Sequence, residues 1–119
     1  MIVAGLGFRR GCPAADIVQL VRMAQDRAGC TVGLLAAPDW KRGEAGLHDA
    51  ASRLGLPVTF IAPAALAAVQ PLCPTRSAVA ERETGVASVA EGAALAASGG
   101  RLLLARITNS GVTCALARP

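Results

Sequence analysis

Aromatic residues are scarce in this sequence, which contains only Phe8, Trp40 and Phe60 and no tyrosine. Proteins that bind single-stranded nucleic acid stack bases on several aromatic side chains, so this composition argues against that class. Like charges do not cluster either, because no run of five or more basic or acidic residues occurs. The net charge of +4 therefore favours a small anionic partner, such as a polycarboxylate or a phosphate, over nucleic acid.

Signatures of metal binding and of membrane insertion are also missing. The chain has four dispersed cysteines: Cys12, Cys30, Cys73 and Cys114. Because none forms a Cys-x-x-Cys pair, we expect free thiols rather than a zinc site, and no metal or other cofactor. The longest apolar stretch, residues 58–69, is too short to span a bilayer and contains Pro63. No secretory signal is visible, so we expect a cytoplasmic protein without membrane contacts.

The hydrophobic pattern predicts one domain over residues 1–119. Apolar runs at residues 2–6, 31–37 and 58–62 are typical of buried strands, and they alternate with segments of helical spacing. Residues 101–107 and 112–117 flank a turn and predict a hairpin. The fold class is therefore α/β with three layers. A mixed sheet of about five strands, parallel in its first part and ending in an antiparallel hairpin, has helices on both faces.

The helices are predicted from their start and stop residues as well as from apolar spacing. Pro13 begins the first helix, which stops at Gly29, and Gly55 suits a left-handed cap after the second. The sequence Ser88-Val-Ala-Glu91 matches a capping box. In that motif the serine hydroxyl accepts the third helical N–H while the glutamate reaches back to the serine N–H. We therefore expect the last helix to begin at Ser88.

A candidate ligand site lies in the loop between the first strand and the first helix. The segment that links them, Gly5–Pro13, contains Gly5, Gly7, Arg9, Arg10 and Gly11. Glycines let a ligand approach the backbone, the helix start offers unpaired N–H groups, and open α/β sheets bind ligands beyond the carboxyl ends of their strands. The glycine spacing departs from the dinucleotide fingerprint, so the sequence favours an anion in general. A tight turn with two solvated arginines is the alternative interpretation.

The loop after the second strand is expected on the same rim of the sheet. Within it, Lys41 is a candidate contact for an anion, and the alternative for Lys41 is a solvated position. Asp39 or Glu44 could orient Lys41, although for Glu44 a role at the start of the next helix is favoured. The only histidine, His48, falls off the apolar stripe of its helix, which favours a solvated surface position over catalysis.

Four segments of the sequence resemble the family formed by CobE and the C-terminal domain of CbiG, which acts in the corrin-building route to cobalamin. In chain order these are Gly5–Gly11, Asp39–Leu47, Thr84–Glu91 and Gly111–Arg118. The chain looks like the free-standing members of the aerobic route. Full-length CbiG is a hydrolase that opens a lactone on a cobalt-precorrin, and this chain resembles only its C-terminal part. Phe8 stands where members usually carry a cysteine, which argues against thiol chemistry there.

The resemblance implies three alternative functions. The favoured one, not catalytic for the isolated chain, is binding or carrying a polycarboxylate corrin or precorrin intermediate. The expected contacts are Gly5, Gly7, Arg9, Arg10, Gly11, Asp39, Lys41 and Glu44. The second is a precorrin enzyme in which Lys41 and either Glu44 or Asp39 act as acid and base. The third is an interaction module for other enzymes of the pathway. The oligomeric state is left open, a homo-oligomer included.

Overall fold

A five-stranded sheet forms the middle layer of the structure, a computed structural model that describes residues Met1–Pro119. The strands are β1 (Ile2–Gly7), β2 (Val32–Pro38), β3 (Val58–Ile61), β4 (Arg101–Asn109) and β5 (Val112–Arg118). Their order across the sheet is β3-β2-β1-β5-β4. The first three strands are parallel, and β5 is antiparallel to both of its neighbours. The predicted α/β fold, with a parallel first part and a C-terminal antiparallel hairpin, is confirmed.

Five α-helices accompany the sheet. They are α1 (Ala14–Ala28), α2 (Ala45–Leu54), α3 (Pro63–Ala68), α4 (Ala78–Thr84) and α5 (Ala90–Ser98). The main hydrophobic core joins α1 and α2 to one face of the sheet, while α3 and α5 pack on the other face. The helices thus lie on both faces, as predicted. Helix α4 differs from the rest because it buries none of its residues. No helix has the length and hydrophobicity needed to cross a membrane.

Helix α5 packs very closely on the sheet because small side chains face each other there. A Cβ atom at Gly5 of β1 would fall directly against the carbonyl oxygen of Ala90 and 2.5 Å from the backbone nitrogen of Ala94. Ala93 and Ala94 are themselves fully buried. Glycine and alanine at these positions therefore let the helix backbone approach the strand backbone, as in other close helix–sheet contacts.

The predicted helix ends are mostly confirmed, but the start of α5 is not. Gly29 and Gly55 adopt left-handed caps with φ of 64° and 68°, and Pro13 is the N-cap residue immediately before α1. At α5 the predicted capping box is wrong, since Val89 occupies the N-cap position. Ser88 instead donates its N–H to Gln70 Oε1 at 3.0 Å. The two residues of the predicted box do contact each other, but through the Ser88 hydroxyl and the Glu91 carboxylate, and both also make long-range hydrogen bonds.

Strand β4 is irregular, with nine residues opposite the seven of β5. Its register shifts between Leu102 and Leu104, and again between Leu104 and Ile107. Each shift accommodates one extra residue, which is the definition of a β-bulge. The second bulge contains Arg106, whose N–H donates to Glu91 Oε2 of α5 at 3.0 Å. A side chain of the helix therefore holds the strand backbone where the ladder is interrupted.

Candidate functional site

An open cleft of about 490 Å³ lies at the edge of the sheet where β1 ends and β5 begins. The strands contribute Gly7 and Thr113 to its lining, the start of α5 contributes Ala90, and α4 contributes Val79 and Glu83. Open α/β sheets bind ligands outside the carboxyl ends of their strands, and this cleft occupies that position. Its volume falls in the range of roughly 300–1,000 Å³ that small-molecule sites occupy.

The polar part of the cleft is strongly basic. Four cationic side chains line it: Arg9, Arg10, Lys41 and Arg106. Glu83 is the only carboxylate among the lining residues. The two ion pairs of the structure, Asp49 with Arg53 and Glu81 with Arg76, involve none of these side chains. None of the four cations therefore has an ion-pair partner in the chain, and a cleft lined mainly by one sign of charge attracts ions of the other sign.

The remaining lining is apolar and partly open to solvent. Trp40 is 42% exposed and Val79 is 49% exposed, which makes them two of the few large hydrophobic side chains on the surface. Buried Phe8 also lines the cleft, and the Nζ atom of Lys41 lies 4.9 Å from the centroid of its ring. This cation–π contact holds the ammonium group beside an apolar surface. The cleft thus suits an anion that also carries an apolar body.

Half of the residues predicted from sequence meet in this cleft. Gly7, the last residue of β1, lines it together with Arg9 and Arg10 of the first loop and Lys41 of the second loop. The two loops adjoin because β1 and β2 are parallel neighbours whose carboxyl ends share one edge of the sheet. The prediction that both loops occupy the same rim is therefore confirmed, and three of the four cations of the cleft come from them.

The other four predicted residues lie outside the cleft lining. Gly5 packs beneath α5, and Asp39 begins a 3₁₀ helix of residues Asp39–Lys41. Gly11 donates its N–H to Glu44 Oε1 at 2.7 Å, so the two loops are joined by a hydrogen bond. Glu44 occupies the N-cap position of α2, but its side chain makes no capping bond there. It fixes the loop that carries the two arginines, and its carboxylate is engaged with that backbone N–H.

Sequence reasoning missed the contributions of α4 and of β4. Neither Arg106 nor the helix at residues 78–84 is among the contacts predicted from the sequence. One signal was available, since an antiparallel hairpin brings the end of β4 to the rim where β1 ends. The bulge at Arg106 and the long-range contacts of α4 had no local signature. The helix start at the cleft is that of α5, whereas α1 was expected there.

A buried carboxylate stands behind the cleft. Glu91 of α5 has no solvent exposure, and its Oε1 atom accepts the Thr75 N–H at 2.9 Å and the Ser88 hydroxyl at 3.1 Å. Its Oε2 atom accepts the Arg106 N–H at 3.0 Å. Burial by itself raises the pKa of Glu91, but hydrogen bonds from Arg106, Thr75 and Ser88 outweigh burial and lower it below the usual value. The side chain is therefore an ionised, acceptor-only group at neutral pH.

The remaining candidate groups do not gather into a second site. His48 is exposed, and its Nε2 atom lies 2.6 Å from the carbonyl oxygen of Arg42. The cysteines are free thiols, and burial raises the pKa of Cys114 to about 12. No three histidine, cysteine or acidic side chains lie close enough together to hold a metal ion. The cleft is the place where charged, apolar and backbone groups converge.

Comparison with known proteins gives consistent matches. Residues 2–117 match the family described as cobalamin synthesis G C-terminus. Protein CobE of Sinorhizobium sp. is 33% identical over 123 residues, which cover 99% of this chain and 80% of that protein. The structure also superimposes on the crystal structure of CobE, a protein from the cobalamin (vitamin B12) biosynthetic pathway. That match has a TM-score of 0.92 and 42% identity, covering 100% of this chain and 90% of the other.

Two further crystal structures share the fold. The cobalamin biosynthesis protein chiG from Agrobacterium tumefaciens matches with a TM-score of 0.78 and 34% identity, over 99% of this chain and 98% of its own. A cobalamin biosynthesis protein G homolog from Sulfolobus solfataricus matches with a TM-score of 0.67 and 20% identity. That match covers 97% of this chain and 35% of the homolog, and it shows the fold alone. From the family match and the CobE relatives together, the chain belongs to the CobE/CbiG C-terminal family of cobalamin biosynthesis proteins.

Proposed function

We propose that the chain binds a polycarboxylate corrin or precorrin intermediate in the basic cleft and carries it between steps of the pathway. The observation that supports this most directly is the set of four cations without carboxylate partners, next to exposed Trp40 and Val79. Corrin precursors are flat, largely apolar rings with carboxylates around the rim. The cleft offers surfaces for both parts of such a molecule.

Charge alone does not account for tight binding. Exposed ion pairs contribute about 0–1 kcal/mol each, and micromolar affinity requires about 8 kcal/mol. Four such contacts in the cleft therefore fall short, and the apolar lining has to contribute. Trp40 and Val79 leave apolar surface that a ring face can cover, and removing such surface from water is worth about 25 cal/mol per Å². The proposal thus requires both the cations and the apolar wall.

The cleft geometry favours binding over acid–base catalysis by the residues predicted for that role. Lys41 faces the cleft, but Asp39 is not among the lining residues and Glu44 already accepts the Gly11 N–H. The carboxylate that does line the cleft is Glu83, on a helix that buries none of its residues. General acid–base catalysis needs groups held within hydrogen-bond reach of the reacting atoms. A carrier has no such requirement.

An absorbance titration with corrin-pathway pigments such as hydrogenobyrinic acid tests the proposal. We expect a saturable spectral shift, with the pigment recovered unchanged. Replacing Arg9 and Arg10 together by alanine should weaken binding about tenfold, which corresponds to about 1.4 kcal/mol. Arg101 and Arg118 provide a matched control, because they are an exposed cross-strand pair at the start of β4 and the end of β5, at the opposite end of the strands from the cleft. Replacing those two by alanine removes the same charge and should leave the affinity within about twofold.

The outcomes separate the three functions. Equal weakening by both double variants would contradict a site at the cleft, because it would show a general effect of net charge. A new pigment product in the presence of the chain would make it an enzyme. No spectral change with any pigment would favour an interaction module for pathway enzymes.

A further inference from the structure

Glu91 is the one carboxylate of the chain that is completely buried, and it has no cationic partner. Burying a charge costs free energy unless hydrogen bonds compensate for the lost water. Here three donors do so, and two of them are backbone N–H groups of Thr75 and Arg106. Thr75 lies 16 positions before Glu91 and Arg106 lies 15 positions after it, so one donor precedes α5 in the chain and the other follows it. The carboxylate therefore joins three separate segments around the cleft.

The first of these segments leads into α4. Thr75 stands two residues before Ser77, the N-cap residue of α4, whose hydroxyl accepts the Ala80 N–H at 3.2 Å. Since α4 has half-buried but no fully buried residues, hydrophobic packing contributes little to holding it. Hydrogen bonds at both of its ends hold it, and those near its start are Ser77 N–H to Ala87 O at 2.8 Å and Thr75 N–H to Glu91. The wall of the cleft that carries Val79 is thereby tied to Glu91.

The second segment is the bulge of β4. Between Leu104 and Ile107 the strand has one residue more than β5 opposite it. The Arg106 N–H bonds to the Glu91 Oε2 atom where the ladder is interrupted. This bond sets the backbone direction at Arg106, whose side chain lines the cleft without an ion-pair partner.

We propose that Glu91 is a positioning residue that holds both Arg106 and helix α4 in the arrangement that binds ligand. This inference rests on the proposed function, since the arrangement matters only if the cleft takes a ligand. Glu91 does not line the cleft and acts through the segments it holds. A carboxylate suits this task because both of its oxygens accept hydrogen bonds, so one side chain can hold two backbone donors.

Glu91→Gln separates this role from simple space filling. The amide has nearly the same shape, but only one of its two ends accepts a hydrogen bond. With its oxygen toward Arg106, the amide nitrogen opposes the Thr75 N–H and releases the segment before α4. With its oxygen toward Thr75, the nitrogen opposes the Arg106 N–H and releases the bulge. In either orientation one wall is lost, and we expect the affinity for hydrogenobyrinic acid to fall about tenfold.

Ser88→Ala serves as the control, since it removes the third donor to Glu91 and leaves both backbone contacts in place. Its affinity should remain within about twofold of the wild type. Amide hydrogen exchange gives a readout that does not need a ligand: Glu91→Gln should speed exchange at Thr75, at Arg106, or at both. In an Arg106→Gln background the Glu91→Gln effect on affinity should shrink, because residues that act through one another are not additive.

The results distinguish this inference from the proposed function. If the wild type binds pigment and Glu91→Gln binds it equally well, the positioning role is overturned and the carrier function stands. Full additivity with Arg106→Gln and unchanged exchange at Thr75 also overturn it. If the wild type binds no pigment, both proposals fail together. Should Glu91→Gln not fold, Glu91→Asp takes its place, since it keeps the charge but is one methylene too short to reach both donors.

Discussion

Gly5→Ala tests how closely α5 has to approach the sheet. The added Cβ atom would overlap with two backbone atoms of α5, which are the carbonyl oxygen of Ala90 and the nitrogen of Ala94. A side chain can rotate away from such a contact, but a helix backbone can only move as a body. Overpacking a core typically costs 1–3 kcal/mol, and the rigid contacts here place this variant at about 3 kcal/mol. The melting temperature should fall by about 12 °C, at roughly 4 °C per kcal/mol.

Gly7→Ala is the matched control for this variant. Gly7 lies on the same strand two residues further along, so its added Cβ points to the same face of the sheet. That atom would lie 2.5 Å from the hydroxyl oxygen of Thr113, and next 3.5 Å from Val89. The hydroxyl can rotate at the expense of its 3.3 Å hydrogen bond to the Gly7 carbonyl. We therefore expect a loss of about 1 kcal/mol.

Urea unfolding followed by far-ultraviolet circular dichroism measures both variants. The expected result is a midpoint for Gly5→Ala well below that of Gly7→Ala, with unchanged slopes. Free energies of unfolding for the two variants that agree within about 0.5 kcal/mol would refute the packing argument. So would a Gly5→Ala protein that keeps its stability but loses pigment binding, because Gly5 would then act at the ligand.

Two further predictions concern ionisable groups. An aromatic disulfide reagent at pH 8 should modify the half-buried Cys12 and Cys30 in the native chain, but Cys73 and Cys114 only after unfolding. The reagent reacts with the thiolate, and burial raises the pKa of Cys114 to about 12. Rapid reaction of all four cysteines in the native chain would contradict the buried positions. The folded state lowers the pKa of Glu91 below 4.5, so its ionisation stabilises the fold above that pH, and this contribution is lost as the pH falls through the folded pKa. The stability difference between wild type and Glu91→Gln should therefore shrink in acid, and a difference that stays constant between pH 7 and pH 3 would disprove it.

Features that depend on local sequence could be predicted well. Glycine is the residue that most easily adopts positive φ, so Gly29 and Gly55 marked helix ends from the sequence alone. The hairpin turn could also be predicted from local sequence. Its two central residues, Ser110 and Gly111, both have positive φ, as a type I′ hairpin turn requires. The alternation of strands and helices predicts parallel strands, whose carboxyl ends lie at the same rim of the sheet. This is why Lys41 could be placed from the sequence beside the first loop.

Features that depend on distant partners could not be predicted. Ser88 and Glu91 have the spacing of a capping box, yet backbone N–H groups 15 and 16 residues away occupy the carboxylate. Gly5 belongs to a glycine-rich segment that suggested a ligand contact, but it lies within β1, where its lack of a side chain serves the approach of α5. Arg106 reaches the cleft through a bulge, and one extra residue in a strand leaves no signature in hydrophobic spacing.

The two bulges of β4 also affect how the molecule behaves toward other chains. This strand is an outer edge of the sheet, and long, regular edges invite pairing with strands of other molecules. Two register shifts within nine residues interrupt the row of backbone donors and acceptors that such pairing needs. The other edge, β3, has only four residues and ends before Pro63. The irregularity that turns the Arg106 amide toward Glu91 thus also protects the sheet against edge-to-edge aggregation.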